Sequence, residues 1–301
     1  MLGQLIHRCP LKRLRWFMAR MFNCEVPASV VRKKVIQLFS RRLGCIPNIE
    51  HPSTFNEKMQ WLKLHYRNHL MTICADKYAV RKFVSDRGYG DLLNRIIFQG
   101  ENFERVDFDD LPQKFVVKPT HISGGVLIVR EKGECNWGAI KSQTVARVSR
   151  LYEHGLTQGE WHYFGVPPRF VIEEYLDDGT GGVVDYKVHC MNGNPRYIQV
   201  DLLRFSNHAR LYFDPQWNLL PFTTTYPRYD GLVSKPDCLK GMLSAAQSLS
   251  GEFPYARVDF YVVQSSLYFG EITFFHDGGF ARFDDPAWDL EWGNNLDLSY
   301  L

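Results

Sequence analysis

From Ala256 to Phe274, apolar and polar side chains alternate on either side of Gln264-Ser265-Ser266, the pattern of an antiparallel hairpin with one face in a core. A three-residue loop there sets a register in which Asp259 faces Glu271. Ala256, Val258, Phe260 and Val262 fall on one face, and Arg257, Asp259 and Tyr261 on the other, with Glu271 and Thr273 beside Asp259. Two carboxylates directly opposed have Cβ atoms about 5 Å apart and repel one another. A divalent cation between them removes that repulsion, and oxygen-only donors favour magnesium or manganese. A solvated face, or Asp259 paired with a nearby arginine, satisfies the same pattern without a metal.

A chain of 301 residues that is 45% hydrophobic and 23% charged can bury a core of one or two domains, which excludes disorder. Apolar runs such as Val126-Leu127-Ile128-Val129 fall far short of the roughly 18 residues that span a bilayer, and no signal-peptide pattern opens the sequence. The seven cysteines include no CxxC pair, so a reduced, cytoplasmic protein is expected rather than a zinc or disulfide framework. Charge is uneven. Residues 1–50 hold ten Lys/Arg against Glu25 and Glu50, a balance of +8, which leaves −5 for the remainder of a chain of net +3. With Trp16, Phe17, Met18, Met21 and Phe22, this basic head suits peripheral contact with an anionic membrane on the inner face of the cytoplasmic membrane. A helical extension that packs those aromatics on the body is the alternative. No nucleic-acid motif follows the cluster.

Pro47 to Ser53 reads as a linker, and Thr54 with Glu57 as a capping box that starts a helix through Met59, Leu62 and Leu64. A second helix is predicted over 72–85, carrying Asp76, Lys77, Tyr78 and Arg81. Strands are predicted at Phe115–Pro119, Val126–Arg130 and Phe170–Glu174, with a helix over 136–153 between the last two. Asn192-Gly193 signals a tight turn between strands at Val183–Met191 and Arg196–Asp201, and a helix near 237–250 precedes the last hairpin. Hairpins mixed with separate helices indicate an α+β fold. Neither GxGxxG nor GxxxxGK[ST] occurs. Lys118 ends an apolar strand just before Ser123-Gly124-Gly125, a loop whose backbone N–H groups could cradle phosphate or simply form a hairpin turn. Asp185 and Lys187 share a strand face, as an ordinary ion pair also would.

The order of these segments resembles the ATP-grasp superfamily. It runs Asp76-Lys77, Phe115-Val116-Val117-Lys118-Pro119, His121 to Gly125, Glu173-Glu174-Tyr175-Leu176, Asp185-Tyr186-Lys187, Arg257-Val258-Asp259-Phe260, then Gly270-Glu271-Ile272-Thr273-Phe274. It is most similar to the TupA-like branch, found among polysaccharide and teichuronopeptide biosynthesis proteins, as are Phe55 to Trp61 and Trp161 to Arg169. The resemblance covers roughly residues 50 to 290 and implies two α+β lobes gripping ATP, preceded by the basic helical extension. The divisions expected are 1–50, a helical region 51–114, a nucleotide lobe 115–195 and a metal and acceptor lobe 196–301.

The resemblance also implies roles. Lys77 and Lys118 correspond to phosphate-contacting lysines, Ser123, Gly124 and Gly125 to the loop over the phosphates, and Glu173, Glu174, Tyr175 and Leu176 to the adenine-binding hinge. Asp185 and Lys187 fall near the ribose or the reacting phosphate, and Arg204 resembles an arginine that stabilises the transferring phosphoryl group. Asp259 and Glu271 correspond to the magnesium ligands, with Thr273 where many ATP-grasp ligases carry Asn. His276, in His276-Asp277-Gly278-Gly279, is a candidate base for the attacking amine. These roles describe a ligase that joins a carboxylate, such as a uronic acid of a surface-polysaccharide or capsule precursor, to an amine through an acyl phosphate. The alternatives are an ATP-grasp kinase acting on a sugar hydroxyl, a glycosyltransferase using Asp107-Phe108-Asp109 as its metal motif, and a non-catalytic nucleotide-binding module.

Overall fold

The computed structural model describes residues 28–150, 158–177, 179, 183–203 and 207–301. Its helices are α1 (Ala28–Leu43), α2 (Phe55–His65), α3 (His69–Ala75), α4 (Val80–Asp86), α5 (Trp137–Val148), α6 (Leu239–Ser250) and α7 (Pro286–Asn295). Its strands are β1 (Ile96–Gly100), β2 (Phe115–Pro119), β3 (Leu127–Val129), β4 (Phe170–Glu174), β5 (Val184–Met191), β6 (Asn194–Leu202), β7 (Ala209–Phe213), β8 (Tyr255–Val263) and β9 (Ser266–Thr273). The fold is α+β, with antiparallel pairing within both sheets. The basic head is helical over α1, where Val35 and Phe39 are buried; residues 1–27, on which the membrane reading rests, lie outside the described residues. Among the described residues no helix is long and apolar enough to cross a membrane.

Contacts divide the chain into two units, each discontinuous in sequence. The first comprises the described residues of Met1–Arg41, Arg67–Val80 and Arg95–Tyr175. Its sheet has the order β1-β4-β2-β3. Phe115 and Val117 of β2 alternate into a core with Phe103, Leu111, Val129, Ile140, Phe170 and Ile172. Asn136 caps α5 by accepting from Ala139 N. The helix predicted over 72–85 is instead two short ones. Asp76 has extended dihedrals, its carboxylate accepts from Arg169 at 2.6 Å and from Tyr78 N at 2.8 Å, and Lys77 N bonds Thr120 O. Charge pairing 93 residues away overrides local helix propensity here.

The second unit comprises Arg42–Tyr66, Arg81–Asn94 and Leu176–Leu301. Its sheet runs β7-β6-β5-β8-β9. One face presents Val188, Cys190, Ile198, Val200, Ala256, Val258 and Phe260, all fully buried, and α6 packs on β5, β6 and β8 through Met242, Ala245, Ala246 and Leu249. The opposite face is polar. Asn192 and Gly193 form the expected two-residue turn, both with positive φ.

The last hairpin departs from expectation. Its loop has two residues, Gln264 and Ser265, with φ of 49° and 66°, because Val263 already pairs with Ser266. A register shift between Asp259 and Phe260 leaves Gly270 unpaired as a bulge, which restores Asp259 opposite Glu271. A Cβ on Gly270 would stand 3.0 Å from Asp259 O.

The capping box at α2 forms as read, and Glu57 also accepts from Asn48 N and Ser53 N. Lys58 then reaches across to Gly293 O of α7 and to Leu296 O just past its end. α7 lies so close to the chain entering α2 that a Cβ on Gly293 would stand 2.0 Å from Ser53 O. Gly293→Ala is therefore expected to cost about 3 kcal/mol, read as a lower urea midpoint with an unchanged slope; an unshifted midpoint would show that the helices part freely.

Candidate active site

In the first unit the residues singled out from sequence lie on and beside β2 and β4. Val116 pairs with Glu173, so Lys118, two residues on, reaches the same carboxylate diagonally: Nζ to Glu173 Oε2 is 2.7 Å. Glu173 is 7% exposed, whereas Glu174 turns outward to Arg95 at 2.8 Å. Lys77 Nζ donates to Ile122 O at 2.9 Å, at the start of the glycine loop. Ser123 and Gly124 are exposed, and Gly124 and Gly125 both take positive φ, which a Cβ would strain. His121 is buried, with Nε2 against Arg150 O at 3.0 Å; burial pushes its pKa down. Tyr175 closes this unit and Leu176 opens the next, with the Arg130 guanidinium 5.9 Å from the Tyr175 ring centre.

In the second unit, strand pairing lays a row straight across the polar face. Tyr212 faces Gln199, Gln199 faces Lys187, Lys187 faces Asp259, and Asp259 faces Glu271. A neighbouring row carries Arg210, Asp201 and Asp185, and a third carries His189, Arg257 and Thr273. Lys187 Nζ lies 2.5 Å from Asp185 Oδ2, 3.0 Å from Asp259 Oδ2 and 3.8 Å from Asp201 Oδ2. Burial opposes its charge, but the Asp185 and Asp259 carboxylates outweigh that and hold its pKa above the usual lysine value.

Arg257 grips Asp259 with two parallel bonds, Nε to Oδ1 and Nη2 to Oδ2, both 2.7 Å. Its Nη2 also donates to Thr273 Oγ1 at 3.1 Å and lies 3.6 Å from Glu271 Oε1. Burial works against the Asp259 charge, yet Arg257 and Lys187 together keep its pKa below the carboxylate range. Asp201 is likewise buried and likewise held down, by Arg210 at 2.6 Å. His189 is buried between Tyr255 OH at 2.8 Å and Gln199 Oε1 at 3.1 Å, and burial keeps it neutral.

The sheet thus brings Asp185, Lys187, Asp259, Glu271 and Thr273 together on one face, and the turn after β9 brings His276 to Arg257. Arg204 lies outside the described residues. Among the described residues no cluster of three or more His, Cys, Asp or Glu converges on a single metal point. The donors available beside Glu271 are all oxygen and fit a hard dication. Arg257 at present spans Asp259, Glu271 and Thr273, so an ion there has to share Asp259 with the guanidinium. The alternative read from sequence, Asp259 paired with a nearby arginine, is what forms, with Arg257 as the partner; Asp201 and Arg210 were given no role. Arg257 was legible two residues before Asp259 on the same face; Arg210 was missed although Asp214-Pro215 marks a turn just after β7. Asp107 accepts from Asp109 N at 2.9 Å and so serves its own exposed turn.

The sequence profile of the TupA-like ATP-grasp family matches residues 57–297. The chain belongs to that family. No curated protein sequence matches it. Among solved structures it is similar to D-alanine–D-alanine ligase from Bacillus anthracis complexed with ATP, at 19% identity and a TM-score of 0.41, over 68% of this chain and 55% of that one. The corresponding ligase from Helicobacter pylori matches at 18% identity and a TM-score of 0.42, over 81% and 70%. The L-amino acid ligase from Bacillus licheniformis matches at 15% and 0.44, over 84% and 54%. The chain spans little more than half the length of the first and third of these.

Proposed function

We propose that this chain is an ATP-dependent ligase that joins a carboxylate to an amine through an acyl phosphate. The observation that carries the reading is the row Lys187–Asp259–Glu271 with Arg257 laid across it, in a chain of the ATP-grasp family. Asp259 and Glu271 would hold magnesium, with the Thr273 hydroxyl as a neutral donor. Bound there, the ion offsets charge on the phosphate oxygens. Lys77 and Lys118 would contact the nucleotide phosphates, Ser123, Gly124 and Gly125 would close over them, and the backbone of Glu173 to Leu176 would bond adenine. Lys187, fixed as an ammonium by its carboxylates, and Arg204 would neutralise the transferring phosphoryl group.

The chemistry needs ATP because a carboxylate is a poor electrophile with no good leaving group. Attack of a substrate carboxylate oxygen on the γ-phosphorus releases ADP and forms an acyl phosphate. An amine then attacks the acyl carbon and expels phosphate. Positioning and charge neutralisation supply most of the acceleration, and a closed loop keeps water from the acyl phosphate. The polysaccharide branch that the sequence resembles makes a uronic acid the first carboxylate to try.

The test is ATP turnover with magnesium against uronic acids, sugars and amino acids, with hydroxylamine added. ADP release with an acyl hydroxamate is the expected result. ADP with a stable sugar phosphate and no hydroxamate would replace this reading with a kinase. Lys118→Ala is expected to weaken ATP binding about tenfold by titration calorimetry; an unchanged Kd would remove Lys118 from the phosphates.

A further inference from the structure

His276 is fully buried, and its Nδ1 lies 3.1 Å from Arg257 Nη1. A guanidinium only donates, so Nδ1 must be the accepting, unprotonated nitrogen of a neutral imidazole. The proton then sits on Nε2, which lies 3.7 Å from Asp277 Oδ2. Asp277 is in turn held by Thr225 Oγ1 at 2.8 Å. Burial pushes the pKa of His276 down, in keeping with a neutral ring. Its lone pair is committed to Arg257, which leaves none for a substrate proton.

The turn that delivers this ring is built at a cost. Asp277 takes φ of 47°, followed by Gly278 at 65° and Gly279 at 68°, and such left-handed backbone at a non-glycine residue persists only where surroundings enforce it. Gln60 Nε2 holds Gly279 O at 2.5 Å, and Lys63 Nζ holds Gly278 O. A Cβ on Gly279 would meet Gln60 Nε2 at 2.4 Å. Trp292 and His189 wall the ring in, with ring centres at 6.4 Å and 4.8 Å.

We propose that His276 is a positioning residue that fixes the Arg257 guanidinium against Asp259, Glu271 and Thr273, rather than the base for the amine. Arg257 is then held from both ends: Nη1 by His276, and Nε and Nη2 by Asp259. The inference rests on the ligase reading for its kinetic consequence, but not for its geometry.

Two substitutions and one spectrum test it on the full chain. Asparagine can place an acceptor oxygen near the Nδ1 position yet cannot take a proton near neutral pH; leucine fills the volume and accepts nothing. His276→Asn is expected to keep kcat within about threefold with an unaltered pH profile, and His276→Leu to lose at least about tenfold in kcat with KM for ATP little changed. Equal loss in both variants, with a limb missing from the pH profile, would overturn the proposal in favour of a base. Full activity in His276→Leu would overturn it in favour of simple packing. Independently of turnover, 15N spectra of the ring should show Nδ1 unprotonated and Nε2 protonated across neutral pH. The opposite tautomer would overturn the proposal even in an active enzyme. Absence of any turnover in the parent chain would instead remove the ligase reading, while the ring spectrum still decides the geometry.

Discussion

Glu271→Ala is expected to lower ATP turnover by more than about a hundredfold while the protein stays folded. The side chain sits at the edge of the buried charge network. It is 39% exposed, its bond with Thr273 Oγ1 is long at 3.4 Å, and Arg257 stands 3.6 Å away and is anchored on Asp259 instead. Yet it faces Asp259 across the β8–β9 pair, where an ion shared by the two carboxylates would meet the phosphates. Removing one of two anionic donors takes away both a bond and the charge that draws a dication in. Glu271→Gln keeps the shape and loses the charge, so it should fall nearly as far and be partly recovered by raising magnesium. Turnover at the parent level in Glu271→Ala, with thermal unfolding unchanged, would sink the assignment of this pair to the ion.

The opposition of Asp259 and Glu271 was legible in the sequence, though not for the reason given. A three-residue loop predicts it directly; the chain instead makes a two-residue turn at Gln264-Ser265 and recovers the register at the Gly270 bulge. Alternation fixes which face a residue occupies, so an even number of such offsets leaves the pairing intact. The capping box at Thr54 and the Asn192-Gly193 turn were readable because their chemistry is local. The break at Asp76 was not, since it is set by Arg169 and by Thr120 O, and neither partner is near in sequence. The buried pair of Asp201 and Arg210 was missed for a different reason: its partners are nine residues apart, but the pair needs β7 beside β6 and no strand was read at Ala209–Phe213. The limit met at Asp76 also explains His276. Its neighbours in sequence suggest a reactive turn, whereas Arg257, on β8 and not on the strand just before the turn, lies against its Nδ1.

Lys187→Met should cost about 3–5 kcal/mol at about pH 7. Methionine nearly matches lysine in length and suits a buried site, so lost volume is not the reason. The reason is that Asp185, Asp201 and Asp259 are all buried and share one ammonium. Arg257 still serves Asp259, and Arg210 still serves Asp201, but Asp185 loses a partner at 2.5 Å. The loss should depend on pH in a defined direction. In the parent, Asp201 and Asp259 have depressed pKa values despite burial, so their contribution is complete above the unfolded carboxylate pKa of about 3.9 and fades only as pH falls through the lower folded values. In the variant, a buried carboxylate that has lost this ammonium takes up a proton more readily than it does in the parent, so acid relieves part of the penalty. The gap between parent and variant should therefore narrow between about pH 7 and about pH 5 in urea unfolding. A gap below about 1 kcal/mol at neutral pH, or one that stays constant on acidification, would show that Lys187 is not the charge holding these carboxylates together.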